Sequence, residues 1–399
     1  MTFPSKTSFS RVEPAILTVL PQGDNVEVSF TIKNFDDKDI DYYLCSVYAS
    51  GIKQFKEWAK NHDKQKIVVG GYEATAAPET FIDPAHKIVQ GPCDDFFQTM
   101  KQVGQIVRGV VSHKEIPRYD LWDYTLSDRM APDLYPGEQA VSISTSQGCP
   151  NNCDFCQTPL MSNKFILKPL DLVQKEIDYL KAKNPKVIYV KDENFTALPD
   201  WQERLKIINQ TGAMIEVFAA VNTLNEEKIK FLKENGVHLV YIGIEDLSKD
   251  YPKNNNVAEV YRLLKKYGIY TKTSLITNPL LLDTESKETE EFKKISDKLT
   301  ELKPQVVLLN SLMIFRGTPL WQQYKHLVTE EVMVDYEFGK AALIQDPVRR
   351  KKFEHSMFKV VDDYYTSPFY RENVRNFFCG DNVQKFHEIE QAKWAGYQR

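Results

Sequence analysis

HLVYIGIEDLSKDYPKNNNVAEVYRLLKKYGIYTKTSLIT, residues 238–277, decides the reading of the fold. It opens on a short apolar run, HLVYIGI, and continues after a polar stretch into VAEVYRLLKKYG, whose apolar residues recur at helical spacing before a glycine stop. A second β-rich run, YTKTSLIT, follows at once. Strand, helix and strand in so short a span form a crossover unit, the building block of a parallel sheet covered by helices.

The same rhythm extends both ways. Upstream lie AVSISTS (140–146), LDLVQKEIDYLKAK (170–183), KVIYV (186–190), WQERLKIINQ (201–210), IEVFAAV (215–221) and EEKIKFLKENG (226–236). Downstream lie KETEEFKKISDKLTEL (287–302), QVVLLNS (305–311) and PLWQQYKHL (319–327). These make six strand–helix units, short of a closed TIM barrel. The expected fold class is therefore α/β, with a partial (β/α)6 TIM-like barrel over residues 141–325. Ahead of it, VEVSFTI, DYYLCSVY, GIKQFKEWAKNH, KIVVGG and HKIVQG read as a small, doubly wound, Rossmann-like domain over residues 1–115. Residues 116–140, rich in proline, tyrosine and aspartate, read as a linker, and residues 326–399 as a C-terminal helical region.

Composition narrows the setting. The 399 residues are 42% hydrophobic and 27% charged with a net charge of -4, which suits a globular chain and provides no basic stripe for a phosphate backbone. No apolar run approaches the ~20 residues that span a bilayer, and the opening MTFPSKTSFSRVEP lacks a secretory core, so a cytoplasmic location is expected. Six cysteines are too few for a disulfide scaffold.

Three of the six are packed together in SQGCPNNCDFCQTP, residues 146–159, as Cys149, Cys153 and Cys156. They follow the first barrel strand, on the face where βα loops build active sites. A structural zinc site wants four ligands, and Cys93, Cys379 and the histidines are distant in sequence. A three-thiolate iron–sulfur cluster, a distorted zinc site and coincidence all remain open on spacing alone. In the first case one iron stays open to a chelating ligand.

At this point the sequence resembles the radical S-adenosylmethionine (SAM) enzymes, whose signature is matched in full by Cys149, Cys153 and Cys156. The resemblance implies a [4Fe-4S] cluster whose open iron chelates SAM. An electron, from an external donor such as flavodoxin or ferredoxin, then cleaves SAM to a 5′-deoxyadenosyl radical. KIVVGGYEATAAPETF, HKIVQGPCDDFF, VKDENFTAL, HLVYIGIED and FRGTPLWQQY further resemble the branch with an N-terminal cobalamin-binding domain. For this chain that implies SAM contacts at Phe155, Asp192, Glu193, Asn194 and Glu245, and backbone approach to cobalamin at Gly70, Gly71 and Gly91. It lacks the Asp-x-His-x-x-Gly loop that offers histidine to cobalt, and Pro92, Cys93 and Asp94 replace the usual glutamates. The function this implies is cobalamin-dependent methylation of an unactivated carbon on a small-molecule or peptide substrate. The alternatives are a non-methylating radical SAM rearrangement and a non-catalytic iron–sulfur binding protein. Tyr270, Lys272, Asn278, Asn310 and Arg316 are expected at the barrel mouth, and Tyr364, Tyr365, Phe369, Tyr370 and Phe377 at its open side.

Overall fold

The structure, a computed structural model, describes residues 40–121, 140–336, 339–368 and 370. Strands are numbered in chain order. The first four, β1 (Tyr43–Ser46), β2 (Ile67–Gly70), β3 (Lys87–Gln90) and β4 (Ile106–Arg108), form one sheet in the order β1-β2-β3-β4, parallel throughout. Helix Ile52–Ala59 packs Ile52, Phe55 and Trp58 inward at helical spacing. Among the described residues the strand order does not reverse, so the doubly wound arrangement expected from the sequence is not seen there; VEVSFTI lies outside them. Strand β4 escaped the sequence reading because it is three residues long with only Val107 buried.

The second sheet contains β5 (Ala140–Ile143), β8 (Val187–Val190), β9 (Met214–Phe218), β10 (Val237–Glu245), β11 (Tyr270–Thr277) and β12 (Val306–Ser311), all parallel, in the order β12-β11-β10-β9-β8-β5. This is the six-stranded parallel sheet of a partial barrel. Strands such as β8 (VIYV) are continuous apolar runs because helices cover the outer face, whereas β11 (YTKTSLIT) is mostly polar. The longest crossover helix, Glu285–Leu302, shows why the boundaries fall where they do. Thr284 caps it by accepting from Lys287 N, Phe292, Ile295, Leu299 and Leu302 face the core, and Lys303 (φ 57) ends it ahead of Pro304.

Between β5 and β8, strands β6 (Ser146–Gln147) and β7 (Ile166–Leu167) pair antiparallel. They close the base of the cysteine loop.

Strand β12 ends the sheet, and an end strand exposes unpaired backbone groups. Helix Pro347–Thr366 and the residues after it supply the partners: Tyr365 Oη accepts from Val307 N at 2.7 Å, Tyr370 Oη donates to Gln305 O at 2.6 Å, and Tyr364 Oη donates to Pro304 O at 2.7 Å. The three tyrosines pack ring to ring. They cover the start of β12, an end strand of the six-stranded sheet. Phe369 and Phe377 lie outside the described residues.

The N-terminal sheet builds its core with the segment that follows β12. Tyr43, Phe55, Trp58, Val69 and Phe81 of the N-terminal sheet and its helices cluster with Leu312, Ile314, Leu320, Val332 and Tyr336 from beyond β12. Helix Glu330–Val334, assigned to the C-terminal region by sequence, thus packs against the N-terminal sheet, where Lys56 Nζ meets Glu330 Oε1 at 2.6 Å.

Candidate functional site

The cysteine loop leaves the barrel through a turn that admits one residue type. Gly148 has φ +83, and a Cβ there would lie 2.3 Å from Lys164 O and 2.8 Å from Ser162 O. Cys149 N donates to Ser162 O at 3.1 Å and Cys156 N to Cys153 O at 3.1 Å, so both ends of the motif are tied to the loop's own backbone. Gly148→Ala is therefore expected to distort the loop and lower iron incorporation at least as much as loss of one cysteine, measured as iron per chain after anaerobic reconstitution.

All three cysteines line one cavity of about 350 Å³ at the C-terminal ends of the barrel strands. Phe155, Glu193, Asn194 and Glu245 line it too, together with Phe218, Tyr241, Lys253, Ser274, Asn310 and Ser311. Burial pushes the three thiols up, Cys153 to about 11. An iron bound there would displace those protons, since the thiolate is the ligand. Among the described residues no three such side chains are grouped tightly enough for one metal ion. Three thiols lining one cavity can each serve a different iron, a donor set that suits a polynuclear cluster.

Asp192 corrects the sequence reading. It is fully buried and turned away from the cavity: Oδ1 accepts from Thr145 N at 2.7 Å and Ser146 N at 2.9 Å, and Oδ2 from Thr145 Oγ1. Its carboxylate pins the exit of β5, the start of the cysteine loop. Arg204, itself held by Asp200 at 2.7 Å, donates to Thr145 O at 2.9 Å from the same side. An aspartate at a strand end is as apt to cap a turn as to face a ligand, and spacing does not distinguish the two.

Its neighbours do reach the cavity. Asn194 borders it while its Oδ1 accepts from Ala220 N at 3.0 Å, which fixes the turn after β9. Glu193 receives a hydrogen bond from Tyr72 Oη at 3.3 Å, across the junction between the sheets. The next residue, Glu73, accepts from Gln157 Nε2 at 3.0 Å and lies 3.7 Å from Arg316 Nη1. Burial pushes the Glu73 carboxyl up, opposed by Gln157 and Arg316. Arg316 is thus a tie between the sheets rather than a mouth residue.

Of the other residues expected at the mouth, only Asn310 lines the cavity. Lys272 Nζ lies 5.5 Å from the Tyr241 ring, Asn278 caps a turn through Leu280 N, and Tyr270 stands at the opposite end of β11 against His238.

Gly71 (φ +94) and Gly91 (φ +77) directly follow β2 and β3 on the edge that meets the cysteine loop, whereas Gly70, the last residue of β2, has an ordinary backbone. Thr75 bridges this edge: its hydroxyl accepts from Gly91 N at 2.9 Å and lies 3.3 Å from Met161 Sδ. His62 stacks on Trp58 at 4.1 Å, away from the edge. His113, which the sequence reading passed over, does stand after β4, with Nδ1 3.1 Å from Asp94 Oδ2.

Lys253 was also missed. It sits on a short turn, Pro252–Asn254, within a polar stretch that carries no motif, yet its Nζ contacts Glu245 Oε1 at 2.6 Å inside the cavity.

Residues 143–296 match the model of the Radical SAM superfamily. The chain is 23% identical over 379 residues to the bacteriochlorophyllide d C-8(2)-methyltransferase of Chlorobaculum tepidum, covering 84% of this chain and 81% of that protein. It is 27% identical over 288 residues to the hopanoid C-2 methylase of Rhodopseudomonas palustris, covering 64% of this chain and 52% of that relative. Among solved structures, TsrM from Kitasatospora setae, a radical SAM methyltransferase with tryptophan and a SAM analogue bound, superposes with a TM-score of 0.64 at 14% identity and covers 99% of both chains. The cobalamin-dependent enzyme OxsB, with aqua-cobalamin and SAM bound, gives 0.54 at 15% identity over 90% of this chain and 63% of its own.

Proposed function

From a chain whose residues 143–296 form a radical SAM domain, we propose a cobalamin-dependent radical SAM enzyme that methylates an unactivated carbon of a small molecule or peptide. The observation that carries the proposal is one cavity: three cysteines, two carboxylates and three amides meet at the mouth of the six-stranded sheet, and Tyr72 and Glu73 dock a second parallel sheet against it. Two relatives in sequence are methyltransferases or methylases.

Cys149, Cys153 and Cys156 would hold a [4Fe-4S] cluster, which supplies one-electron chemistry. SAM fits the remaining wall. The Ser311 hydroxyl is buried in the cavity wall without a hydrogen-bond partner, as a site built for a polar ligand leaves it. Glu193 and Glu245 offer carboxylates to an ammonium or to ribose hydroxyls, and Phe155 borders the same space. Cobalamin would lie along the facing edge, where Gly71 and Gly91, both with positive φ, follow neighbouring parallel strands. When bound, it would serve as the methyl carrier.

The chain's own part is to orient these groups and exclude water. The Tyr72–Glu193 hydrogen bond and the Glu73–Gln157–Arg316 cluster hold the two sheets in register. We further propose that the chain offers the cobalt no ligand, since it lacks the Asp-x-His-x-x-Gly loop and His62 stacks on Trp58. The 5′-deoxyadenosine, S-adenosylhomocysteine and corrinoid assays test the proposal together. Protein purified from cobalamin-fed cells should retain corrinoid with a base-off spectrum that His113→Ala leaves unchanged. Reductant and SAM should give 5′-deoxyadenosine, with S-adenosylhomocysteine alongside. Deoxyadenosine without S-adenosylhomocysteine or corrinoid would favour the non-methylating reading, and an intact cluster with no SAM cleavage would favour a binding protein.

A further inference from the structure

We propose that Lys253 is a positioning residue. It holds the Glu245 carboxylate in the cavity and keeps a fixed positive charge beside the cluster, so that the Lys253–Glu245 pair sets the potential at which the cluster accepts its electron. The inference rests on the cluster assignment above and assigns these residues a role which that assignment does not contain.

The pair is built into the fold. Lys253 Nζ lies 2.6 Å from Glu245 Oε1, with side chains only 15% and 11% exposed. Both line the cavity with Cys153 and Cys156, and the ammonium lies 6.0 Å from the ring of Phe155, the residue just before Cys156. Glu245 reaches this position through an unusual strand end. The register of β10 against β11 shifts between Gly243 and Glu245, and Glu245 takes φ 69. A Cβ on Gly243 would stand 2.0 Å from Glu245 Oε1, so the carboxylate folds back over a residue that has no side chain. Lys253 is anchored too: the neighbouring Asn254 Nδ2 donates to Ile244 O at 2.6 Å and ties the turn to the end of β10. Burial disfavours the charge on Lys253, while Glu245 in hydrogen-bond contact favours it.

A cation beside a cluster stabilises the reduced form, which carries one more negative charge, and an anion does the reverse. Reduction here takes one electron from an external donor, with no proton exchanged. In a cavity of low dielectric, removing one member of a pair leaves the other uncompensated, so each single change should move the potential in opposite directions.

The test reconstitutes wild type, Lys253→Gln, Lys253→Arg, Glu245→Gln and the double glutamine variant, and titrates each cluster potentiometrically with titanium(III) citrate and no SAM, following the electron paramagnetic resonance of the reduced state. Lys253→Gln should shift the midpoint negative and Glu245→Gln positive. The double variant should fall between them, and Lys253→Arg should stay close to wild type. Iron and sulfide content reports separately on the cluster assignment: a wild type that holds no cluster removes that assignment and the inference with it. An unchanged midpoint in Lys253→Gln with full iron content overturns the inference alone. So does an unchanged midpoint with lost SAM binding, which would make Lys253 a ligand contact.

Discussion

Alanine at Cys149, Cys153 or Cys156 is expected to reduce iron incorporation to background and remove the broad visible absorption of thiolate-to-iron charge transfer. Each would supply one of three protein ligands, and no other cysteine among the described residues lines the cavity. Cys45 is the natural control: it is buried in the core of the N-terminal sheet, and burial pushes its thiol to about 12. Cys93 is a second, with its sulfur 3.3 Å from Thr99 Oγ1. Serine at either position should leave iron content near wild type. Iron per chain, sulfide per chain and the visible spectrum after anaerobic reconstitution check the result. A cluster that survives loss of Cys156, or needs Cys93, would overturn the three-thiolate site.

Asp192→Ala should destabilise the apo-protein by about 3 kcal/mol, because it strands two buried backbone donors and removes a charged acceptor. The same change should lower iron incorporation even though all three cysteines remain, since Thr145 and Ser146 lead into the cysteine loop. Apo-protein unfolding and iron content are measured together. Unaltered stability with weakened SAM binding would restore the ligand role that the sequence suggested. Asp192→Asn, which keeps one oxygen acceptor, should recover part of the stability.

Two adjacent residues show why only part of the site was legible. Asp192 and Glu193 are both acidic and both follow a buried strand. Beyond the strand no fixed period sets their direction: one turns inward to the turn of β5 and the other borders the cavity. Which one does which depends on where Thr145 and Tyr72 come to lie, 47 and 121 positions away in sequence. The three cysteines were legible because their spacing in one short loop is itself the geometry. Gly148 and Gly243 carry steric requirements set by Lys164 and by a folded-back Glu245, and neither requirement shows in a string of letters. Lys253 was invisible for the same reason: YPKNNN reads as a solvated turn until Glu245 is placed next to it.

The sequence by itself determined the alternation of apolar runs with amphipathic helices, hence a parallel sheet of six strands, and the cysteine loop at the end of the first of them. Those are local properties, set by side-chain period and by chain segments that pair with near neighbours. Only the tertiary structure decided how the N-terminal sheet meets the barrel. Tyr72, Glu73, Gln157, Glu193 and Arg316 converge there from distant segments, and the apolar residues beyond β12 pack into a core begun by β1 and β2. Such contacts depend on matching surfaces of two folded units, and no single stretch of chain carries both halves.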